Sequence, residues 1–170
     1  AAQLGGKVAL VEKREIGGTC LNRGCIPTKA LAASAQHITC TEEASTFGVE
    51  VKFISFDIKK AMDRKNKVVE QLRKGIMQLL KGNKIAVING IGYVVDSNKV
   101  EVQTPEGKEI LNTKHIIVAT GSDPLIPSFF PVDRENILTS DELLELRKIP
   151  EEGAQPSLKR SIVEGFKPLL

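Results

Sequence analysis

The feature that most constrains this chain is the run Gly17-Gly18-Thr19-Cys20-Leu21-Asn22-Arg23-Gly24-Cys25-Ile26-Pro27-Thr28-Lys29, which holds two of its three cysteines. On an ideal α-helix, residues five apart are separated by about 8.7 Å. Disulfide-bonded residues have Cα atoms roughly 4.4–6.8 Å apart. A bridge between Cys20 and Cys25 therefore requires a helix broken between them. Gly24, which tolerates unusual backbone angles, and Pro27, which fixes one, suit such a break. A bridge strained in this way is reduced more easily than a structural one. The run reads as a redox-active disulfide.

Composition narrows the alternatives. A chain of 170 residues, 41% hydrophobic and 26% charged, suits one globular domain with at most an appendage. A net charge of +3 is too small to argue for nucleic acid. No run approaches the roughly 20 apolar residues of a membrane span. The start, Ala1-Ala2-Gln3-Leu4, lacks the basic and apolar segments of a signal peptide. The expected setting is the cytoplasm, or the mitochondrial matrix in a eukaryote. In a reducing compartment, a close cysteine pair is catalytic or metal-binding more often than structural.

Along the chain, Gly5-Gly6 reads as the stop of a helical turn, and Lys7 to Glu12 as a buried parallel strand ending in an acid. In dinucleotide-binding folds such an acid lies about 20 residues beyond a glycine-rich phosphate turn and bonds a ribose hydroxyl. Counted back from Glu12, that turn falls before residue 1, so the first strand is expected to be missing and the chain to be part of a longer protein. A solvated strand end is the plainer reading of Glu12. Lys29 to Thr39 should be helix, with Lys29 on the same face as Cys25. Cys40 and His37 read as packing residues, because two ligands make a poor metal site.

Phe47 to Phe56 reads as a loop or edge strand. Asp57 is placed to cap a helix running to about Lys81, with Gly82 as its stop. Its seam of Ile58, Met62, Val69, Leu72, Ile76 and Leu79 is interrupted where Lys65 falls in the pattern. Its many lysines and arginines carry no interleaved aromatics and read as a solvated face. Ile85 to Ile88 is a strand and Asn89-Gly90-Ile91-Gly92 a turn. Tyr93 to Val95, Val100 to Gln103 and Glu109 to Leu111 form an antiparallel meander, turning at 96–98 and 105–107. His115 to Ala119 is a further buried strand, ending in Thr120-Gly121-Ser122. Three prolines mark an exit segment, and Thr139 or Ser140 caps a helix to Arg147.

These residues resemble the flavin-dependent pyridine nucleotide–disulfide oxidoreductases. The likeness runs from Lys7 to about Pro150 and rests on the strand ending in Glu12, the block GGTCLNRGCIPTK and the later ATGS at 119–122. Cys-Leu-Asn ahead of Gly-Cys-Ile-Pro-Thr-Lys is most similar to the dihydrolipoyl dehydrogenase branch. Arg23, where valine is common, is a mild departure. The implied fold class is α/β: a Rossmann-like FAD-binding domain with a parallel sheet and a small antiparallel meander, truncated at its N-terminus.

The resemblance also implies a division of labour. Cys20 would exchange with a dithiol substrate, and Cys25 would face the flavin. Gly17, Gly18, Thr19 and Cys20 would line the pyrophosphate and flavin of FAD, and Glu12 with Lys13 would bind its adenosine ribose. Lys29 would lie beside the flavin, Gly92 near the adenine, and Thr120, Gly121 and Ser122 in a loop at the cofactor. A helix N-terminus should lower both thiol pKa values. Electrons would pass from dihydrolipoamide, borne on a carrier protein or complex, to FAD and then NAD, in a homodimer. On this reading 1–122 is a partial FAD domain, 123–150 a linker toward an absent NAD domain, and 151–170 an unmatched tail. The base, the NAD site and the dimer interface would lie elsewhere, so the chain alone should not turn over. Three alternatives stay open: a glutathione- or mercuric-reductase-like activity, a non-catalytic remnant, and a zinc site through Cys20 and Cys25.

Overall fold

The computed structural model describes residues 1–149 except Phe53, Phe130 and Asn136; the expected tail at 151–170 lies outside the described residues. In chain order the elements are β1 (Ala9–Glu12), α1 (Gly18–Arg23), α2 (Cys25–Glu42), α3 (Ile58–Gly82), β2 (Ala86–Asn89), β3 (Ile91–Asp96), β4 (Lys99–Thr104), β5 (Gly107–Asn112) and α4 (Ser140–Leu143). They fall into two compact units: 1–18 with 71–122, and 19–70 with the described residues from 123 onward.

In the first unit a 3-10 turn over Ala2–Leu4 stops at Gly5, whose φ is 86°. β1 and β2 pair in parallel from Ala9↔Ala86 to Glu12↔Asn89. The expected burial of β1 is not found. Ala9 and Leu10 are exposed, while Val11 and Glu12 are half-buried. A parallel strand is buried when it has neighbours on both edges and cover on both faces. Among the described residues β1 has a single ladder partner. The same cause removes the strand expected at His115 to Ala119: no described strand pairs with it, and Ile117 is 82% exposed.

The meander forms as read, in the order β3-β4-β5 with antiparallel ladders. Its first turn is tied by Asn98, whose Nδ2 donates to the Thr113 carbonyl at 2.9 Å. Its second places Pro105 and Glu106 between the paired Thr104 and Gly107. Val102 at the centre of β4 is wholly buried. The turn expected over 89–92 shortens, because Ile91 and Gly92 already belong to β3. Gly90 is required where the chain passes from β2 to β3: a Cβ there would lie 2.6 Å from the Gln103 carbonyl oxygen.

In the second unit Asp57 caps α3 as expected, its Oδ1 accepting from the amides of Lys59 (3.0 Å) and Lys60 (3.2 Å). The core gathers Leu31, Ala61, Met62 and Leu144, with Ile58 and Leu146 packed against them. Lys65, the residue that breaks the apolar seam, is only 2% exposed. Its ammonium donates to the Leu144 carbonyl at 2.6 Å and meets Glu145 Oε1 at 2.8 Å. A charge buried among side chains survives only when partnered in this way. Thr139, rather than Ser140, is the N-cap of α4, forming a reciprocal capping box with Glu142. That helix stops at Leu143, short of Arg147, which reaches instead to Asp63 at 2.5 Å. Cys40 and His37 are exposed on α2, so the packing role expected for them is not found.

Candidate redox site

The cysteine block folds as two helices with a break. Leu21 is buried on α1, and Pro27, Ala30, Leu31 and Ala32 are buried on α2, so both helices turn an apolar side inward. Between them Gly24 takes φ −134° and ψ −110°, and its carbonyl accepts the first α2 bond from the Thr28 amide at 3.1 Å. The break required by the cysteine spacing is therefore present. Cys20 ends up on one side of it and Cys25 on the other, both exposed and both free thiols.

Although unbonded, the two cysteines act on one another. The thiol of Cys20 hydrogen-bonds the Cys25 side chain, and this contact holds the Cys20 pKa above the ordinary thiol value. Partial desolvation and the nearby Cys25 charge push the same way. A hydrogen bond with the Cys25 backbone and the positive charge of Lys29 pull the other way without reversing it. The expectation that the helix start lowers this thiol is thus overturned for Cys20, because thiol–thiol contact outweighs the nearby cation. Lys29, four residues beyond Cys25 and exposed, is close enough for its charge to act on Cys20.

Of the other expected site residues, Thr19 lies on α1 at the start of the second unit and the rest lie in the first. Glu12 ends β1; its Oε1 accepts from the Arg14 amide at 2.9 Å, and its carbonyl accepts from the Gly90 amide at 2.9 Å. That local use of the carboxylate was not anticipated. An acid two residues ahead of a turn amide is the signal that points to it. Lys13 is exposed just beyond the strand. Gly92 sits in β3, where a Cβ would lie 3.4 Å from Val11 Cγ1 and 3.6 Å from Val100 Cγ1, ordinary packing against the neighbouring strands. Gly17 and Gly18 both have positive φ, 110° and 66°. Nothing lies within 4 Å of where a Gly18 side chain would begin. Thr120, Gly121 and Ser122 are exposed, with Gly121 at φ 74°. Among the described residues no three His, Cys, Asp or Glu side chains cluster as metal ligands. No described helix is long and apolar enough to cross a membrane.

Residues 1–165 match the pyridine nucleotide-disulphide oxidoreductase family. The chain belongs to that family. The match runs beyond residue 150, where the resemblance in the sequence ends. Family relatives include a dihydrolipoyl dehydrogenase of Chlamydia trachomatis, 42% identical over 156 residues, covering 91% of this chain and 33% of that protein. A mitochondrial dihydrolipoyl dehydrogenase of Sus scrofa is 37% identical over 155 residues, covering 89% of this chain and 30% of its own length. Among solved structures, the HOCl-induced flavoprotein disulfide reductase RclA of Escherichia coli superposes with a TM-score of 0.70 at 29% identity, over 88% of this chain and 31% of that one. The chain spans about a third of the length of the curated relatives it matches. The α/β architecture, a parallel pair beside an antiparallel meander, is that of a Rossmann-like FAD domain in this family.

Proposed function

We propose that the protein carrying this chain is an FAD-dependent disulfide oxidoreductase that oxidises dihydrolipoamide through Cys20 and Cys25 and delivers the electrons to NAD. The observation that carries this reading is the pair of exposed free thiols on either side of a helix break, with Lys29 four residues beyond Cys25. Membership of the family and the dihydrolipoyl dehydrogenase relatives support it. Carrier-bound dihydrolipoamide and a second subunit belong to the same reading.

The residues present fit a flavin dinucleotide. Gly17 and Gly18, at positive φ and with open space beside Gly18, would let a bulky anionic group approach the backbone together with Thr19 and Cys20. Glu12 spends one oxygen on the Arg14 amide, and a carboxylate has acceptor capacity beyond one bond for a ribose hydroxyl beside Lys13. The family resemblance also assigns cofactor contacts to Gly92, to the exposed loop Thr120 to Ser122 and, separately, to Lys29. When bound, FAD supplies a two-electron acceptor that links dithiol chemistry to a nicotinamide.

The chain's own part is thiol exchange. With the pair oxidised, a substrate thiolate attacks the Cys20 sulfur, the Cys20–Cys25 bond breaks and a mixed disulfide forms. The second substrate thiol then displaces Cys20, closing the product disulfide. Two electrons have passed from substrate to the cysteine pair, and each attacking thiol has lost its proton. The two released sulfurs, Cys25 in the first step and Cys20 in the second, leave as thiolates able to take up the two protons that the substrate gives up.

The test is a reduction titration of the full-length protein loaded with FAD. Dihydrolipoamide should reduce it with a long-wavelength absorbance that Cys25→Ser abolishes. Persistence of that absorbance in Cys25→Ser overturns the assignment. Reduction by a different thiol and not by dihydrolipoamide favours a second reading, a reductase of another disulfide, which the likeness to RclA supports.

A further inference from the structure

We infer that Gly24 is a positioning residue that sets how readily Cys20 and Cys25 form their bond. The inference rests on the redox reading of that pair and goes beyond it by assigning its tuning to a residue with no side chain. A Cβ added at Gly24 would lie 3.2 Å from the Thr19 carbonyl oxygen and 3.3 Å from the Cys20 Cα. Both neighbours are backbone, so neither can swing aside as a flexible side chain would. Relief requires the 19–20 backbone of α1 and residue 24 to part by a few tenths of an ångström, which shifts Cys20 relative to Cys25. Cys25 cannot follow, because α2 is anchored two residues later by the buried Pro27 and beyond it by Ala30, Leu31 and Ala32. A single methyl at position 24 thus acts as a wedge between the two cysteine-bearing segments.

Two consequences follow from weakening one contact. The Cys25 hydrogen bond is the largest influence raising the Cys20 pKa, so Gly24→Ala lets Cys20 titrate at lower pH. Separating the sulfurs lowers their effective concentration, so the disulfide becomes less stable than the dithiol. In the exchange, protein dithiol and oxidised dithiothreitol give protein disulfide and reduced dithiothreitol. One S–S bond forms as another breaks, and two electrons and two protons move to the reagent. A tenfold loss of effective concentration appears as a tenfold change in that constant, which is about 30 mV for a two-electron couple.

The experiment compares the full-length protein, Gly24→Ala, Cys25→Ala and a control, Gly75→Ala, where the added Cβ meets nothing within 4 Å. Each is titrated in dithiothreitol redox buffers, and Cys20 alkylation by iodoacetamide is followed against pH. Gly24→Ala should shift the exchange constant toward the dithiol by about tenfold or more. Its Cys20 alkylation profile should move to lower pH, in the same direction as in Cys25→Ala. Gly75→Ala should change neither reading. An intact couple in the unsubstituted chain that Gly24→Ala leaves unmoved overturns the inference while sparing the redox reading. Absence of any Cys20–Cys25 bridge in the unsubstituted chain sinks both. Loss of helical circular dichroism in Gly24→Ala but not in Gly75→Ala also overturns it, because Gly24 would then support the fold rather than tune the pair.

Discussion

The meander and the helical unit solve the same problem with opposite bookkeeping. In the meander each strand bonds the strand next in sequence, across turns whose residues are specified locally by Ser97-Asn98 and Pro105-Glu106. In the helical unit the buried contacts join distant stretches: Leu31 with Leu144 in one cluster, and the Lys65 ammonium with the carbonyl 79 residues later. Antiparallel neighbours are cheap to close because the loop entropy is small, whereas distant pairs must first bring the chain together. The difference shows why the meander reads directly from sequence and the helical core does not.

Lys65 is where the helical unit depends most on a distant pair. Lys65→Ala removes a buried side chain and strands the Leu144 carbonyl, and should cost about 3 kcal/mol. Urea unfolding measures the loss. Amide exchange should quicken along α3 before Glu70 and around Leu144, with the 91–112 strands unchanged. Equal acceleration in both regions would show that they open as one. Val102→Ala, at the buried centre of β4, should cost about 2 kcal/mol and show the reverse pattern, confined to the meander. Thr139→Ala loses the cap and should cost about 1 kcal/mol, read as faster exchange of the Asp141 and Leu143 amides.

The smallest effect concerns pH. Glu142 has its pKa lowered, first by the hydrogen bond from the Thr139 side chain and then by the Thr139 amide, with Arg134 contributing. A carboxyl depressed on folding adds stability above its unfolded pKa and loses it as pH falls through the folded value. The α4 amides should therefore stay protected at neutral pH and lose protection below about pH 4.5, the ordinary carboxyl value. Retention of full protection well below that range would remove the capping box as the cause.

Legibility followed the range of the deciding interaction. The Asp57 cap, the meander and its turns, and the helix break at Gly24 depend on residues within a few positions, and all were visible in the sequence. Lys65 was visible only as an anomaly in an apolar seam; its partners at 144 and 145 carry no signal that could be read from position 65. The strand expected at His115 to Ala119 failed because an apolar run states a preference without naming the edge it pairs with. At the redox pair the spacing foretold the break, and the resemblance supplied the roles. The direction of the Cys20 pKa was not legible, since it turns on a side-chain contact that spacing alone does not specify.

The two sulfurs are mounted on arms of unequal stiffness. Cys25 begins an 18-residue helix pinned at its first turn by a buried proline, whereas Cys20 rides on a helix of six residues held by Leu21. A change in sulfur–sulfur distance on forming the proposed bond would be absorbed by the shorter arm. If the pair opens and closes as proposed, Cys20 yields and Cys25 stays fixed, so substitutions that stiffen residues 18–23 should slow the exchange without altering what the longer helix presents.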